Sequence, residues 1–277
     1  MRFRILYLYA MFQKSSTMNK IYELLQRNSQ DLNQVETGTL MARPDEYKDE
    51  YRGEFSGQTS VPTGLHALKL GKTRDGLIYV PKAYQANKPS PLVLMLHGAS
   101  GTAKQSIDLL QKWADSYGTI LVAPDSRGRT WDLILGEYGP DVTFINHALE
   151  QVFEQYAIDK DKIAVAGFSD GASYALSLGL ANGELFSHII AFSPGFSSPS
   201  FLLGAPQVFI SHGIEDRVLL IDRCSRQLVK RLKKQGYEMV YREFNEAHSV
   251  PDEIVKDAFI WFLSRSSKET IPVERSA

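Results

Sequence analysis

The chain has 277 residues, 43% hydrophobic and 23% charged, with a formal net charge of -1. This is ordinary globular composition, enough for one large domain or two small ones, and it gives no global attraction for nucleic acid or an anionic membrane. A single cysteine, Cys224, excludes an intramolecular disulfide and a multi-cysteine zinc site, and no run reaches the ~20 apolar residues of a membrane helix, so stable membrane insertion is not expected.

At the N-terminus two arginines precede the apolar stretch Ile5 to Phe12, loosely in the manner of a signal peptide. The stretch is short, contains Tyr7 and Tyr9, and is followed by no A-x-A site, so a cytoplasmic location is expected. Residues 1–63 read as an extension, helical at Met18 to Gln30. From Glu36 to Thr63 it mixes Gly, Pro, charge and tyrosine without a sustained period, which predicts a mobile or surface-hugging arm. Residues 64–265 read as the domain that carries the chemistry, and 266–277 as a tail.

Within that domain, Leu65 to Leu70 and Leu77 to Val80 predict a β-hairpin turning at Lys72 to Gly76. Pro91 to Leu96 is a buried strand, Ser106 to Tyr117 a helix with one apolar face, and Thr119 to Ala123 a strand stopped by Pro124. Val142 to Tyr156 is a second amphipathic helix, and Ile163 to Ala166 a short strand. His188 to Phe192 and Gln207 to Ser211 are further strands. Asp222 to Gln235 is a helix whose six basic residues form a solvated face over Leu228 and Leu232. Glu238 to Phe244 is the last strand, and Pro251 to Leu263 the closing helix. Strands alternating with helices predict an α/β fold: a mostly parallel sheet covered by helices on both faces, with no room for a large cap domain.

The chemistry is concentrated at Gly167-Phe168-Ser169-Asp170-Gly171, a G-x-S-x-G pattern between a strand and an Ala-rich helix. In that context it predicts a nucleophile elbow, with Ser169 at a strained turn and its hydroxyl at a helix N-terminus. A serine nucleophile needs a base and a group to orient that base. The strand Gln207 to Ser211 runs into His212-Gly213-Ile214-Glu215-Asp216, so Asp216 is the expected acid and Glu215 the weaker neighbour. His248 follows the last strand and is the expected base, completing the order Ser169, Asp216, His248.

A second loop, His97-Gly98-Ala99-Ser100-Gly101, follows the strand that ends at Leu96. It is where the second oxyanion donor arises, so the hole is assigned to the backbone N–H groups of Ala99 and Asp170. His97 is expected to brace this loop and, with Gly98, to border the substrate. Trp131, in the loop Ser126 to Asp132, is expected to wall the acyl or leaving-group side, with Arg127 and Arg129 placed to meet a carboxylate. The loop Gly195 to Gly204 reads as a short lid or a plain connection. His66, His147, His188 and His212 read as structural, and no H-E-x-x-H spacing occurs, so no metal and no cofactor are expected.

Taken together, LHGASG, GFSDG, SHGIEDRV and NEAHSVP resemble the α/β-hydrolase superfamily over roughly residues 65 to 263. GFSDGA, HG-x-x-D and the Ala-His before the last helix are similar to the phospholipase/carboxylesterase group, which includes acyl-protein thioesterases. Asp141-Val142-Thr143-Phe144-Ile145 and Ile158-Asp159 are similar to the polyhydroxybutyrate-depolymerase-like and feruloyl-esterase-like group. The resemblance implies a serine hydrolase that cleaves a small-molecule ester or thioester through an acyl-enzyme. A peptidase or acyltransferase on the same triad, or a ligand binder with negligible turnover, stand as alternatives.

Overall fold

The computed structural model describes residues 34–44 and 62–264. The expected helix at Met18 to Gln30, the first twelve residues and the tail 266–277 lie outside the described residues.

Among the described residues, eight strands form one sheet in the order β1-β2-β4-β3-β5-β6-β7-β8. They are β1 (Gly64–Ala67), β2 (Gly76–Val80), β3 (Ser90–Leu96), β4 (Ile120–Pro124), β5 (Ile158–Phe168), β6 (His188–Phe192), β7 (Gln207–Gly213) and β8 (Met239–Phe244). β1 and β2 are the expected antiparallel hairpin, and β2 also pairs antiparallel with β4. All pairings from β4 to β8 are parallel. The central strands are apolar nearly throughout because both sheet faces are covered, which is why they read as continuous apolar runs rather than as alternation.

Within residues 62–264 the helices are α1 (Ala103–Tyr117), α2 (Asp132–Leu135), α3 (Pro140–Gln155), α4 (Asp170–Ala181), α5 (Ser225–Lys234) and α6 (Asp252–Leu263). Two apolar clusters lie against the sheet. One includes residues of α3, α4 and α5, the other residues of α1 and α6. α1 begins three residues earlier than the apolar period suggests. Thr102 and Gln105 close a reciprocal capping box there. On α5, Leu228, Val229 and Leu232 are buried, which leaves its basic residues on the outer side.

Register carries the site. Leu96 pairs with Gly167, Phe168 with Phe192, Phe192 with Ser211, and Gly213 with Phe244. The carboxyl ends of five parallel strands are therefore level. β3 leads to β4 on one side while its other neighbour is β5, so the loops after β3 and β5 meet at a switch in strand order, where α/β sheets form their crevices.

The boundary expected at residue 64 cuts through the core and is corrected. Leu40 is 0% exposed and Ala42 1% exposed, and both belong to the main apolar cluster. Two asparagine side chains satisfy the backbone of this segment. Asn182 Oδ1 accepts from Leu40 N at 2.8 Å, Asn182 Nδ2 donates to Gly38 O at 2.8 Å, and Asn146 Oδ1 accepts from the N–H groups of Met41 and Ala42. Part of the predicted arm is thus packed on the domain.

Candidate active site

Ser169 caps α4 with φ 56° and ψ -119°, a conformation disfavoured for any residue with a side chain. The flanking glycines make it possible. A Cβ on Gly167 would lie 2.1 Å from Gly171 O, and one on Gly171 would lie 2.2 Å from Leu96 O. Ser169 N–H donates to Phe192 O at 2.9 Å, which ties the elbow to the neighbouring strand.

The acid and the histidine arrive on two loops joined by backbone bonds. Ile214 N donates to Phe244 O at 2.9 Å and Glu215 N to Glu246 O at 3.1 Å. Gly213 permits the approach, since a Cβ there would meet Glu246 O and Ala247 O at 2.3 Å. His248 Nδ1–H donates to Asp216 Oδ2 at 2.5 Å, and Ser169 Oγ–H to His248 Nε2 at 2.8 Å. The Phe168 ring lies 4.8 Å from the imidazole, centroid to centroid, and supports its face. Ser169, Asp216 and His248, predicted separately from three distant segments, are in one hydrogen-bonded line.

The Esterase family model matches residues 68–230, more than half of the chain. The chain belongs to this esterase family. It is 30% identical over 191 residues to "Probable feruloyl esterase C" of Aspergillus oryzae, covering 65% of this chain and 68% of that one. Among solved structures it superposes on an S-formylglutathione hydrolase from Staphylococcus aureus with a TM-score of 0.61 at 16% identity, covering 74% of this chain and all of the other. A ferulic acid esterase from Anaeromyces mucronatus gives a TM-score of 0.52 at 21% identity, over 77% of this chain and 92% of that one. These superpositions share the α/β-hydrolase fold expected from the motifs. Membership of the family makes the protein a carboxylic ester hydrolase.

In this esterase, Asp216 is enclosed by donors. Its Oδ1 accepts from Val218 N and Leu219 N, both at 2.8 Å. Burial pushes its pKa up, but the Leu219 N–H, His248 and the Val218 N–H outweigh that and hold the carboxyl below the usual carboxylate range. Glu215, the weaker alternative, is exposed.

The loop after β3 sits beside the elbow. A Cβ on Gly98 would meet Ser169 Cβ at 3.4 Å. Ser100 N donates to Arg129 O and Gly101 N to Gly98 O, so the N–H groups on the far side of Ala99 are taken by loop contacts. Asp170 is the first residue of α4, where N–H groups have no intrahelical acceptor.

Three expectations are corrected here. His97 is 3% exposed and does not border the substrate. Its Nδ1–H donates to Gly98 O at 2.7 Å and its Nε2 accepts from Ser126 N–H at 3.0 Å, and burial lowers its pKa, so it braces the loop as a neutral ring. Trp131 is 0% exposed and is not a pocket wall. Its Nε1–H donates to His97 O at 2.8 Å, and its rings pack on His97 and Tyr174 at 4.8 and 5.3 Å. Arg127 is turned inward. It donates through Nη1 and Nη2 to the backbone carbonyls of Arg74, Asp75 and Asp125, with its guanidinium 3.6 Å from the Phe144 ring centroid, so its terminal nitrogens are engaged within the protein. The backbone of loop 126–132 is fixed by the side chain of Asp141. That carboxylate accepts from Arg127 N at 2.5 Å and Asp132 N at 2.8 Å.

The loop after β6 is a connection rather than a lid. Ser173 Oγ accepts from Gly195 N and Ser177 Oγ from Ser198 N, both at 2.9 Å, and Leu203 N donates to Leu180 O at 2.9 Å, so the loop is fastened along α4.

Proposed function

We propose that this esterase cleaves esters of aromatic carboxylic acids, with Ser169 as nucleophile, His248 as general base and then acid, and Asp216 as the group that holds the imidazole. The observation that carries the assignment of roles is the unbroken line Asp216–His248–Ser169, at 2.5 and 2.8 Å. Ser169 Oγ forms a bond to the ester carbonyl carbon while its proton passes to His248 Nε2. The carbonyl electron pair moves onto oxygen, which is held by the Ala99 and Asp170 N–H groups. The C–O bond to the alcohol breaks and the alcohol leaves with the proton from His248. Water, deprotonated by the same imidazole, then releases the acid from the acyl-enzyme.

Two observations support an aromatic acyl group. The relative cited above bears the name feruloyl esterase. Two segments fastened near the triad also carry exposed apolar residues. Phe196, 37% exposed, has its N–H 3.4 Å from the Oγ of Ser173, a residue one helical turn along α4 from Ser169. Val218, 69% exposed, follows Asp216 by two residues.

The test is a fluorophosphonate label with a panel of methyl hydroxycinnamates, straight-chain esters and matching thioesters. Wild type takes the label and Ser169→Ala does not, and kcat/KM is highest for a hydroxycinnamate. Labelling of both proteins alike overturns the nucleophile. A panel led by straight-chain esters or thioesters overturns the acyl group.

A further inference from the structure

The loop 126–132, expected to shape specificity, reaches both sides of the proposed oxyanion hole. On the Ala99 side, Arg129 O accepts from Ser100 N at 2.6 Å, Trp131 Nε1 donates to His97 O at 2.8 Å, and Ser126 N donates to His97 Nε2 at 3.0 Å. On the elbow side, Thr130 Oγ1 donates to Asp170 Oδ2 at 2.6 Å. Four hydrogen bonds from seven consecutive residues therefore join the two segments whose N–H groups are the proposed donors. The loop is itself fixed near both ends, since Asp141 accepts from the N–H groups of Arg127 and Asp132.

Asp170 presents an electrostatic difficulty that this contact resolves. Its backbone N–H is meant to stabilise a developing negative charge, yet its side chain is a carboxylate on the same residue. A negative group free to swing over the hole would oppose the oxyanion in a site partly closed to water. The Thr130 hydroxyl takes one carboxylate oxygen and fixes its direction.

We propose that Thr130 is a positioning residue of the oxyanion hole, holding the Asp170 carboxylate on loop 126–132 so that the Asp170 and Ala99 N–H groups keep a fixed separation. The proposal rests on the assignment of Ser169 and the two donors given above. It gives the loop a part in rate rather than in the choice of ester.

The experiment compares Thr130→Val, which removes the hydroxyl at nearly constant shape, with Thr130→Ser, which keeps it. For each, kcat and KM are measured on one ester, with the affinity for a trifluoromethyl ketone that forms a tetrahedral adduct on the serine. Thr130→Val should lower kcat about 10- to 100-fold, within the loss that follows removal of a whole donor, with KM changed less than about threefold. It should weaken the ketone by the same factor, and Thr130→Ser should restore both. Combined with Asp170→Ala, Thr130→Val should add no further loss, because the two side chains act as one unit. Wild-type kcat in Thr130→Val, a kcat loss without weaker ketone binding, failure of Ser to rescue, or additive losses would each overturn the proposal. Should Val not fold, Thr130→Ala is read by the same four criteria. Ser169→Ala separates the two levels. If it still turns over ester, the triad assignment fails, whereas an inert Ser169→Ala beside an unimpaired Thr130→Val removes only the role of Thr130.

Discussion

His212 Nε2 lies 3.1 Å from Asp216 Oδ2, the oxygen that also receives the Nδ1–H of His248. His212 is wholly buried. Its Nε2–H is shared with Leu219 O at 2.7 Å, and its Nδ1 accepts from Ser225 Oγ at 2.6 Å. Burial lowers its pKa, so it stands as a neutral donor behind the acid. With the two N–H groups of the Val218–Leu219 turn, four donors surround one carboxylate. The HG-x-x-D pattern thus places a histidine and an acid where each satisfies the other.

Asp216→Asn should therefore do more than remove a charge. An amide at this position presents an NH2 group to His248 and favours the tautomer that cannot accept the Ser169 proton. A fall in kcat of about 10⁴ at neutral pH is expected. Glu215→Gln should change kcat less than about threefold, since Glu215 is exposed. Initial rates on one ester decide it, and reversed penalties would move the acid to Glu215.

Gly171→Ala should abolish the fold of the elbow rather than trim activity. The new Cβ would meet Leu96 O at 2.2 Å and His97 O at 2.5 Å, both backbone atoms where β3 leads into the loop 97–101. Neither can step aside without disturbing β3. Soluble yield and thermal unfolding measure the effect, and a variant with wild-type melting and labelling would show that the elbow relaxes easily.

Asp141 gives a pH dependence of definite sign. Burial, acting against its hydrogen bonds from Arg127 N and Asp132 N, raises its pKa to about 6 from 3.8. A folded value above the unfolded one favours the native state at low pH. The contribution is complete below the unfolded value and lost as pH rises through about 6. Asp141→Asn removes this titration. The stability of wild type relative to Asp141→Asn should thus be greater at pH 4 than at pH 7.5, by an amount on the order of 2–3 kcal/mol. Urea unfolding of both proteins at the two pH values measures it, and a difference that grows with pH would reverse the assignment.

The fold was legible wherever burial imposed a pattern. The runs at β3, β4 and β6 were apolar enough to be read directly, and the elbow was bracketed by glycines that no other residue could replace. Ser169, Asp216 and His248 were legible because they follow the ends of β5, β7 and β8 in the chain order that the elbow pattern implies. Contacts between loops were not legible. Nothing in the spacing shows that Thr130 meets Asp170 or that Phe168 faces His248, because those pairs depend on how two irregular segments pass each other. The docking of Leu40 was hidden for a related reason. Leu40 N bonds Asn182 at the end of α4, and Met41 N and Ala42 N bond Asn146 on α3, polar residues that read as neutral until the chain they bind is placed. Residues 159–162 near the start of β5 do not read as strand because all four are charged and partly or fully exposed; the pairing of Ser90 with the buried Ile158 extends the strand through them.

Trp131 supplies the last prediction, and it reverses the one drawn from sequence. A tryptophan after a parallel strand, at the end of the sheet where the elbow lies, is well placed to wall a pocket, and such a residue would set the ranking of acyl groups. In the structure no part of the ring reaches solvent. Its area is spent on Tyr174, which is also fully buried, and on His97, whose carbonyl takes the indole N–H. Trp131→Ala should cost about 3–5 kcal/mol of stability, as large-to-small changes in a core do. Trp131→Phe keeps much of the packing but leaves His97 O without its donor, and should cost less, about 1–3 kcal/mol. Both should slow all esters by a similar factor, because the loop they loosen supports the Ala99 segment and not a binding surface. The measurement is thermal unfolding beside kcat/KM across graded acyl lengths. A variant that melts with wild type but reorders the esters would return Trp131 to the pocket wall; early melting with an unchanged order places its contribution in the core beneath the oxyanion loop.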